Sequence, residues 1–211
     1  MLSANAVSEK EIDIEKLTDL SLGVELIHCA SLIHDDVIDE SLERRGSPSL
    51  NLIFGNKTSV IAGDILFIKA IKILNKFPER IFNLIISTIE NMCTGVIEEI
   101  NGFNDYIHII GKKTASFFSA CCECGAIIGG GSEQEIKNLS EYGYLFGILY
   151  QINDDLLDKE KLDISFKFIE KIGIEAKDKL NILKNSLYKD ALLKIIDFFV
   201  NENGKIIACC G

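Results

Sequence analysis

Proline is almost missing from this chain: Pro48 and Pro78 are the only two in 211 residues. Proline breaks helix interiors, so its scarcity leaves long helices uninterrupted, and strand-type alternation of apolar and polar residues is also rare. An all-α fold is therefore expected. Positive charge is in short supply too, with 22 Lys and Arg against 32 Asp and Glu and a formal net charge of −10. That balance argues against a nucleic-acid partner, whose phosphates are held mainly by clustered Lys and Arg. A small anionic substrate would need a local set of cations. No run of 18 apolar residues occurs, nor a basic amino-terminal stretch leading into an apolar segment and a small-residue cleavage site. No transmembrane segment and a cytoplasmic location are expected. No Ser-His-Asp or Cys-His spacing suggests a side-chain nucleophile.

Seven cysteines are present, with Cys121, Cys122 and Cys124 close together and Cys209 beside Cys210. Adjacent residues on a helix point about 100° apart, and separated Cys-x-x-Cys pairs of the zinc type are missing. These thiols read as small, reduced, buried hydrophobes. The hydrophobic content of 47% suffices for the core of one domain of this length. No repeat, low-complexity tract or linker divides residues 1–211, which read as a single domain of consecutive helices.

A first helix is expected over about residues 14–41, with Leu17, Leu20, Val24, Ile27, Ala30 and Val37 on a broad apolar face and an end near Arg44-Arg45-Gly46. Further helices are expected over 60–74, from Pro78 to about Ile100, and over 111–128. Ser132 and Glu135 have capping-box spacing before a helix over 136–158, and two or three shorter helices follow over 161–200.

Two aspartate clusters carry the chemistry, Asp35-Asp36-Val37-Ile38-Asp39 and Asp154-Asp155-Leu156-Leu157-Asp158, both of the pattern DDxxD. Residues four apart share a helix face, so Asp35 lies beside Asp39 and Asp154 beside Asp158. Like charges at that spacing cost about 0.2–0.5 kcal/mol per pair, and a divalent cation reverses the sign. Hard carboxylate oxygens select magnesium, which is commonly shared between one or two carboxylates and substrate phosphates. One such match is ordinarily a solvated acidic face; two, both flanked by apolar residues, point to a diphosphate site with apolar walls.

These residues resemble the trans-isoprenyl diphosphate synthases, the polyprenyl synthetase family, most of all its long-chain members. The resemblance runs from Glu25-Leu26-Ile27-His28 through Asp39 to Arg44-Arg45-Gly46, then Gly63-Asp64, Lys113-Thr114 and Tyr150-Gln151-Ile152-Asn153-Asp154 to Asp158, covering roughly residues 20–158. It implies an antiparallel helical bundle around a central cavity, three magnesium ions per site and two substrates, isopentenyl diphosphate and an allylic diphosphate. By the same resemblance Asp35, Asp39, Lys113 and Asp154 form the catalytic set. Asp35 and Asp39 hold two magnesium ions and Asp154 the third, assisted by Asp158. Arg44, Lys113 and Gln151 hold the allylic diphosphate, with Thr114 beside them, and Arg45 and His28 hold isopentenyl diphosphate. Taken singly, each would be an ordinary ion pair, cap or core histidine. In the family, small residues at the positions of Ala30 and Ser31 let the product grow, so more than twenty carbons is expected. A homodimer is also implied.

The family's basic segment ahead of the first helix is not found, and Lys159-Glu160-Lys161-Leu162-Asp163 leads almost directly into what resemble its last helices. These departures keep open a non-catalytic interaction subunit of a hetero-oligomeric synthase. A class I terpene cyclase fits less well, because Leu157 stands where its Asn-Asp-x-x-Ser pattern needs a hydroxyl and Arg44-Arg45 has no role there.

Overall fold

The computed structural model describes residues 1–158, 162 and 164–210, excluding the side chains of 208–210. The side chains of Cys209 and Cys210, and residues 159–161 and 163 of the expected junction, lie outside the described residues. Helices dominate. They run in order as α1 (Leu2–Val7), α2 (Ile14–Ile38), α3 (Leu50–Phe54), α4 (Asn56–Leu74), α5 (Glu79–Ile100), α6 (Tyr106–Ile110), α7 (Ser116–Ile128), α8 (Glu133–Leu157), α9 (Phe166–Lys179) and α10 (Leu187–Cys210). A π-helical turn, Gly111–Ala115, joins α6 to α7, and a 3-10 turn, Leu180–Ile182, follows α9. Among the described residues the strands are confined to one antiparallel hairpin, β1 (Glu43–Arg44) and β2 (Ser47–Pro48). The expected all-α class holds. No helix among the described residues is long and apolar enough to cross a membrane.

The chain forms two compact units, one of Asp13–Phe82, the other of Met1–Ile12 with Asn83–Gly211. In the first, α2 packs along α4. Leu74 seats over Gly23 and His34 over Gly63, which makes the two helices antiparallel. A β-carbon on Gly63 would lie 2.2 Å from the His34 ring, so glycine is what lets the ring approach α4 this closely. Asp13 starts α2 by accepting a bond from the Lys16 amide at 3.1 Å.

The helix stops at Ile38 rather than Ser41. Glu40 turns left-handed at φ +51°, and the Ser41 amide bonds the Asp36 carbonyl at 2.9 Å, a Schellman ending. Asn51 clamps it, its amide donating to the carbonyls of Asp36 and Ser41, both at 3.0 Å. On the apolar face of α2, Leu17, Leu20, Ile27 and Ala30 are buried, whereas Val24 and Val37 are half-buried.

In the second unit α8 is central, contacting α7, α9 and α10. Its capping box forms as the sequence predicts, Glu135 accepting from the Ser132 amide at 2.8 Å and returning its own amide to the Ser132 hydroxyl at 3.3 Å. Ile136, Leu139, Tyr142, Ile148, Leu149 and Ile152 turn into the core, and the buried Tyr142 hydroxyl donates to the Leu192 carbonyl at 2.9 Å. The helix expected from Gly111 is preceded by α6, because Asp105 caps the His108 amide at 3.0 Å. The final helix runs past Val200 to Cys210. Asn201, Asn203 and Gly204 are weak helix formers, yet buried Asn203 donates to the Leu149 carbonyl at 3.2 Å and the Phe166 ring packs on Gly204.

Candidate active site

Each unit carries one aspartate cluster, and both clusters close a long helix. Asp39 is the C-cap of α2 and Asp158 the C-cap of α8, and neither helix has a basic residue in its last turn. Carboxylates there meet the negative end of the helix dipole, a penalty a cation removes.

Within each cluster the three aspartates divide their work. In the first unit Asp35 is half-buried and Asp39 exposed, one turn apart on the same face, while Asp36 is only 4% exposed. Asp36 Oδ1 accepts from Arg44 Nη2 at 2.5 Å and from Arg44 Nε at 2.9 Å. Arg44, expected to bind substrate, is thus also the partner that makes a buried aspartate tolerable. The hairpin brings it back: its two-residue loop, Arg45-Gly46, has φ +52° and +76°, as in a type I′ turn. Arg45 itself is exposed.

His28 is half-buried, and burial holds its pKa below the ordinary histidine value; the charges of Arg45 and Arg44 push the same way, against Glu25. Ala30 is fully buried, and the half-buried Ser31 donates its hydroxyl to the His28 carbonyl at 2.9 Å. Just before Asp35, His34 Nε2 lies 3.0 Å from the Val60 carbonyl and 3.6 Å from Asp64. His34, Val37, Ile38 and Val60 line a shallow apolar recess.

In the second unit Asp154 and Asp158 are exposed, and Asp155 is half-buried. It accepts from Tyr106 and from Gln151, and Gln151 accepts in turn from Thr114. Thr114 and Lys113 sit on the π-helical turn, a local winding that often marks functional sites. Gly147 permits the approach: a β-carbon there would lie 2.5 Å from the Ala115 backbone. Lys113 pairs with Glu99 at 2.7 Å, while Glu98 accepts from Lys112 at 2.6 Å and His108 at 2.9 Å. The Lys112 hydrogen bond, then that of His108, lowers the Glu98 pKa.

The predicted residues therefore fall into a set of His28, Asp35, Asp39, Arg44 and Arg45 on one unit and a set of Lys113, Thr114, Gln151, Asp154 and Asp158 on the other. Missed from the sequence were the inward roles of Asp36 and Asp155, and the partners Asn51, Tyr106, Glu98 and Glu99. The Gln151-to-Asp155 spacing of one helical turn was the available signal. Among the described residues no group of three or more His, Cys, Asp or Glu converges as a ready-made metal site. Carboxylates paired one turn apart do fit magnesium, which keeps several waters and takes its other oxygens from phosphates. Burial raises the Cys121 thiol's pKa and pushes those of Cys122 and Cys124 to about 12, so as free thiols they stay protonated.

Comparison with known proteins gives concordant matches. The sequence profile described as polyprenyl synthetase matches residues 1–164. A short chain isoprenyl diphosphate synthase of Methanothermobacter thermautotrophicus is 34% identical over 171 residues, 75% of this chain and 51% of that protein. Heptaprenyl diphosphate synthase component 2 of Geobacillus stearothermophilus is 34% identical over 156 residues, 70% of this chain and 49% of the relative. The chain thus spans about half the length of these curated relatives. A solved geranylgeranyl pyrophosphate synthetase from the archaeon Geoglobus acetivorans superposes with a TM-score of 0.84 at 24% identity, covering 94% of this chain and 84% of its own, and shares the fold.

Proposed function

This chain belongs to the polyprenyl synthetase family, and we propose that it condenses isopentenyl diphosphate with an allylic diphosphate. The observation that carries this reading is the repeated arrangement of the aspartates. Each cluster ends a helix, sets its first and last carboxylates one turn apart on one face and anchors its middle one in the fold. Asp35 with Asp39, and Asp154 with Asp158, would hold magnesium together with diphosphate oxygens. Bound magnesium would supply Lewis-acid stabilisation of the charge that grows on a departing diphosphate. Lys113 and Gln151 would hold and orient the allylic diphosphate, and Arg45 and His28 that of isopentenyl diphosphate. Arg44 would serve the allylic diphosphate while keeping Asp36 paired. Apolar walls below the carboxylates would keep water from a reactive allylic cation.

The small side chains at Ala30 and Ser31 favour a product beyond twenty carbons, whereas the named relatives range from short-chain to heptaprenyl synthases. Ser31→Phe is expected to shorten the product, read by chromatography of the released alcohols. A homodimer agrees with exposed Ile61, Ile65 and Ile68 along one face of α4 and exposed Ile86, Ile97 and Ile100 on α5; sedimentation would show it. A second reading, a subunit that works only with another, draws on the relative named as one component of its synthase.

The deciding experiment is incubation of the purified chain with labelled isopentenyl diphosphate, an allylic diphosphate and magnesium. Elongated product is expected, and Asp35→Ala should lower its formation at least about a hundredfold. A folded wild-type protein that forms no product alone would favour the subunit reading.

A further inference from the structure

Four side chains from three segments make one continuous hydrogen-bonded chain. The Tyr106 hydroxyl on α6 donates to Asp155 Oδ2 at 2.5 Å, and Gln151 Nε2 donates to Asp155 Oδ1 at 2.7 Å. The Thr114 hydroxyl, on the π-helical turn, donates to Gln151 Oε1 at 2.7 Å. Asp155 therefore has a bond on each oxygen, although it stands between two aspartates that face outward.

The direction of every bond follows from the charge at its centre. An ionised carboxylate only accepts, so Asp155 selects the NH2 end of the Gln151 amide and rejects its oxygen. The amide oxygen is left facing Thr114, whose hydroxyl must then donate. With its proton committed, Thr114 presents only lone pairs elsewhere and makes a poor partner for an anion. Gln151 is in the opposite state. One Nε2 proton is held by Asp155, which leaves the second N–H as the donor this network can offer to a phosphate oxygen. Bonds along such a chain polarise one another, so the carboxylate also strengthens that donor.

We propose that Tyr106 and Asp155 are positioning residues, which fix the Gln151 amide so that its second N–H is presented to the diphosphate. The proposal rests on reading this site as diphosphate-binding. Asp155 acts through Gln151 rather than as a metal ligand, and Tyr106 acts through Asp155, holding the carboxylate from the side opposite the amide. Thr114 completes the frame by keeping the amide oxygen engaged.

Two measurements on the full chain test this. Calorimetric titration with inorganic diphosphate and magnesium is expected to show binding about five- to tenfold weaker in Tyr106→Phe, which deletes one hydroxyl, with its melting temperature close to wild type. Asp155→Asn should lose more, because a neutral amide no longer dictates which end of Gln151 faces it. Without any ligand, the side-chain NH2 resonances of Gln151 are expected to shift in Tyr106→Phe. Unchanged affinity in Tyr106→Phe, or Gln151 resonances that do not move, overturns the positioning role. Wild-type protein that binds no diphosphate overturns the functional reading and this role with it, and the resonances still report separately whether the hydrogen-bonded chain exists.

Discussion

Arg45 stands at φ +52° in the hairpin loop, a conformation that costs a residue with a β-carbon roughly 1–2 kcal/mol. Glycine or asparagine would suit that position better, so the arginine is there at a cost to the turn. Arg45→Gly is expected to stabilise the protein by up to about 1 kcal/mol, a rise of about 2–4 °C in melting temperature at this size, while weakening isopentenyl diphosphate binding. A melting temperature that falls would show the arginine side chain to be structural. His28 makes a pH-dependent prediction. Its pKa is lowered, chiefly by burial, so the imidazole stays neutral below the ordinary value of 6.5. A bound anion favours the protonated form, and binding then takes up a proton. Relative to His28→Asn, the wild type should therefore gain affinity for isopentenyl diphosphate as pH falls, protonation of the diphosphate weakening binding in both proteins alike. Identical pH profiles for the two proteins would exclude His28 from the site.

Helices placed by their own caps were legible in the sequence; those placed by distant contacts were not. The Ser132–Glu135 box is local and was read from the sequence, although α8 begins at Glu133, three residues ahead of the expected start, and α2 begins at Ile14 as expected, behind an Asp13 cap. By contrast α1 has six residues, too few to be stable alone, and exists through its packing on α7 and α10. The paired first and last carboxylates were legible because one-turn spacing is a property of the chain itself. The anchors of the middle aspartates were not, since Tyr106 is 49 residues from Asp155.

Two expectations belong to this scale. Gly147→Leu would force α8 away from the π-helical turn, costing about 1–3 kcal/mol in urea unfolding and breaking the Thr114–Gln151 bond. The Glu98 cluster ties α5 to α6 and the π-helical turn. A carboxylate whose folded pKa is lowered stabilises the protein above the ordinary glutamate value of 4.5, and this contribution is lost as pH falls through the lowered value. Amide protection factors, exchange rates corrected for their intrinsic pH dependence, should fall in residues 106–115 over that acid range, and Glu98→Gln should flatten the response.

For the molecule as a whole, ligand binding and stability are linked. Magnesium with diphosphate at a hundred times the dissociation constant should add about 2.7 kcal/mol, about 5–10 °C in melting temperature, and Asp35→Ala should lose most of that shift. The unit built from Met1–Ile12 and Asn83–Gly211 is discontinuous, with Asp13–Phe82 lying between its two parts in the chain. During synthesis the inserted segment is complete once Phe82 has left the ribosome, and its α2–α4 pair can close at once. Helix α1 must wait, because α7 and α10, on which it packs, emerge only after that pair, α10 last of the helices described. Helix α1 thus finds its place only after the segment that follows it has folded, and its docking closes a long loop late.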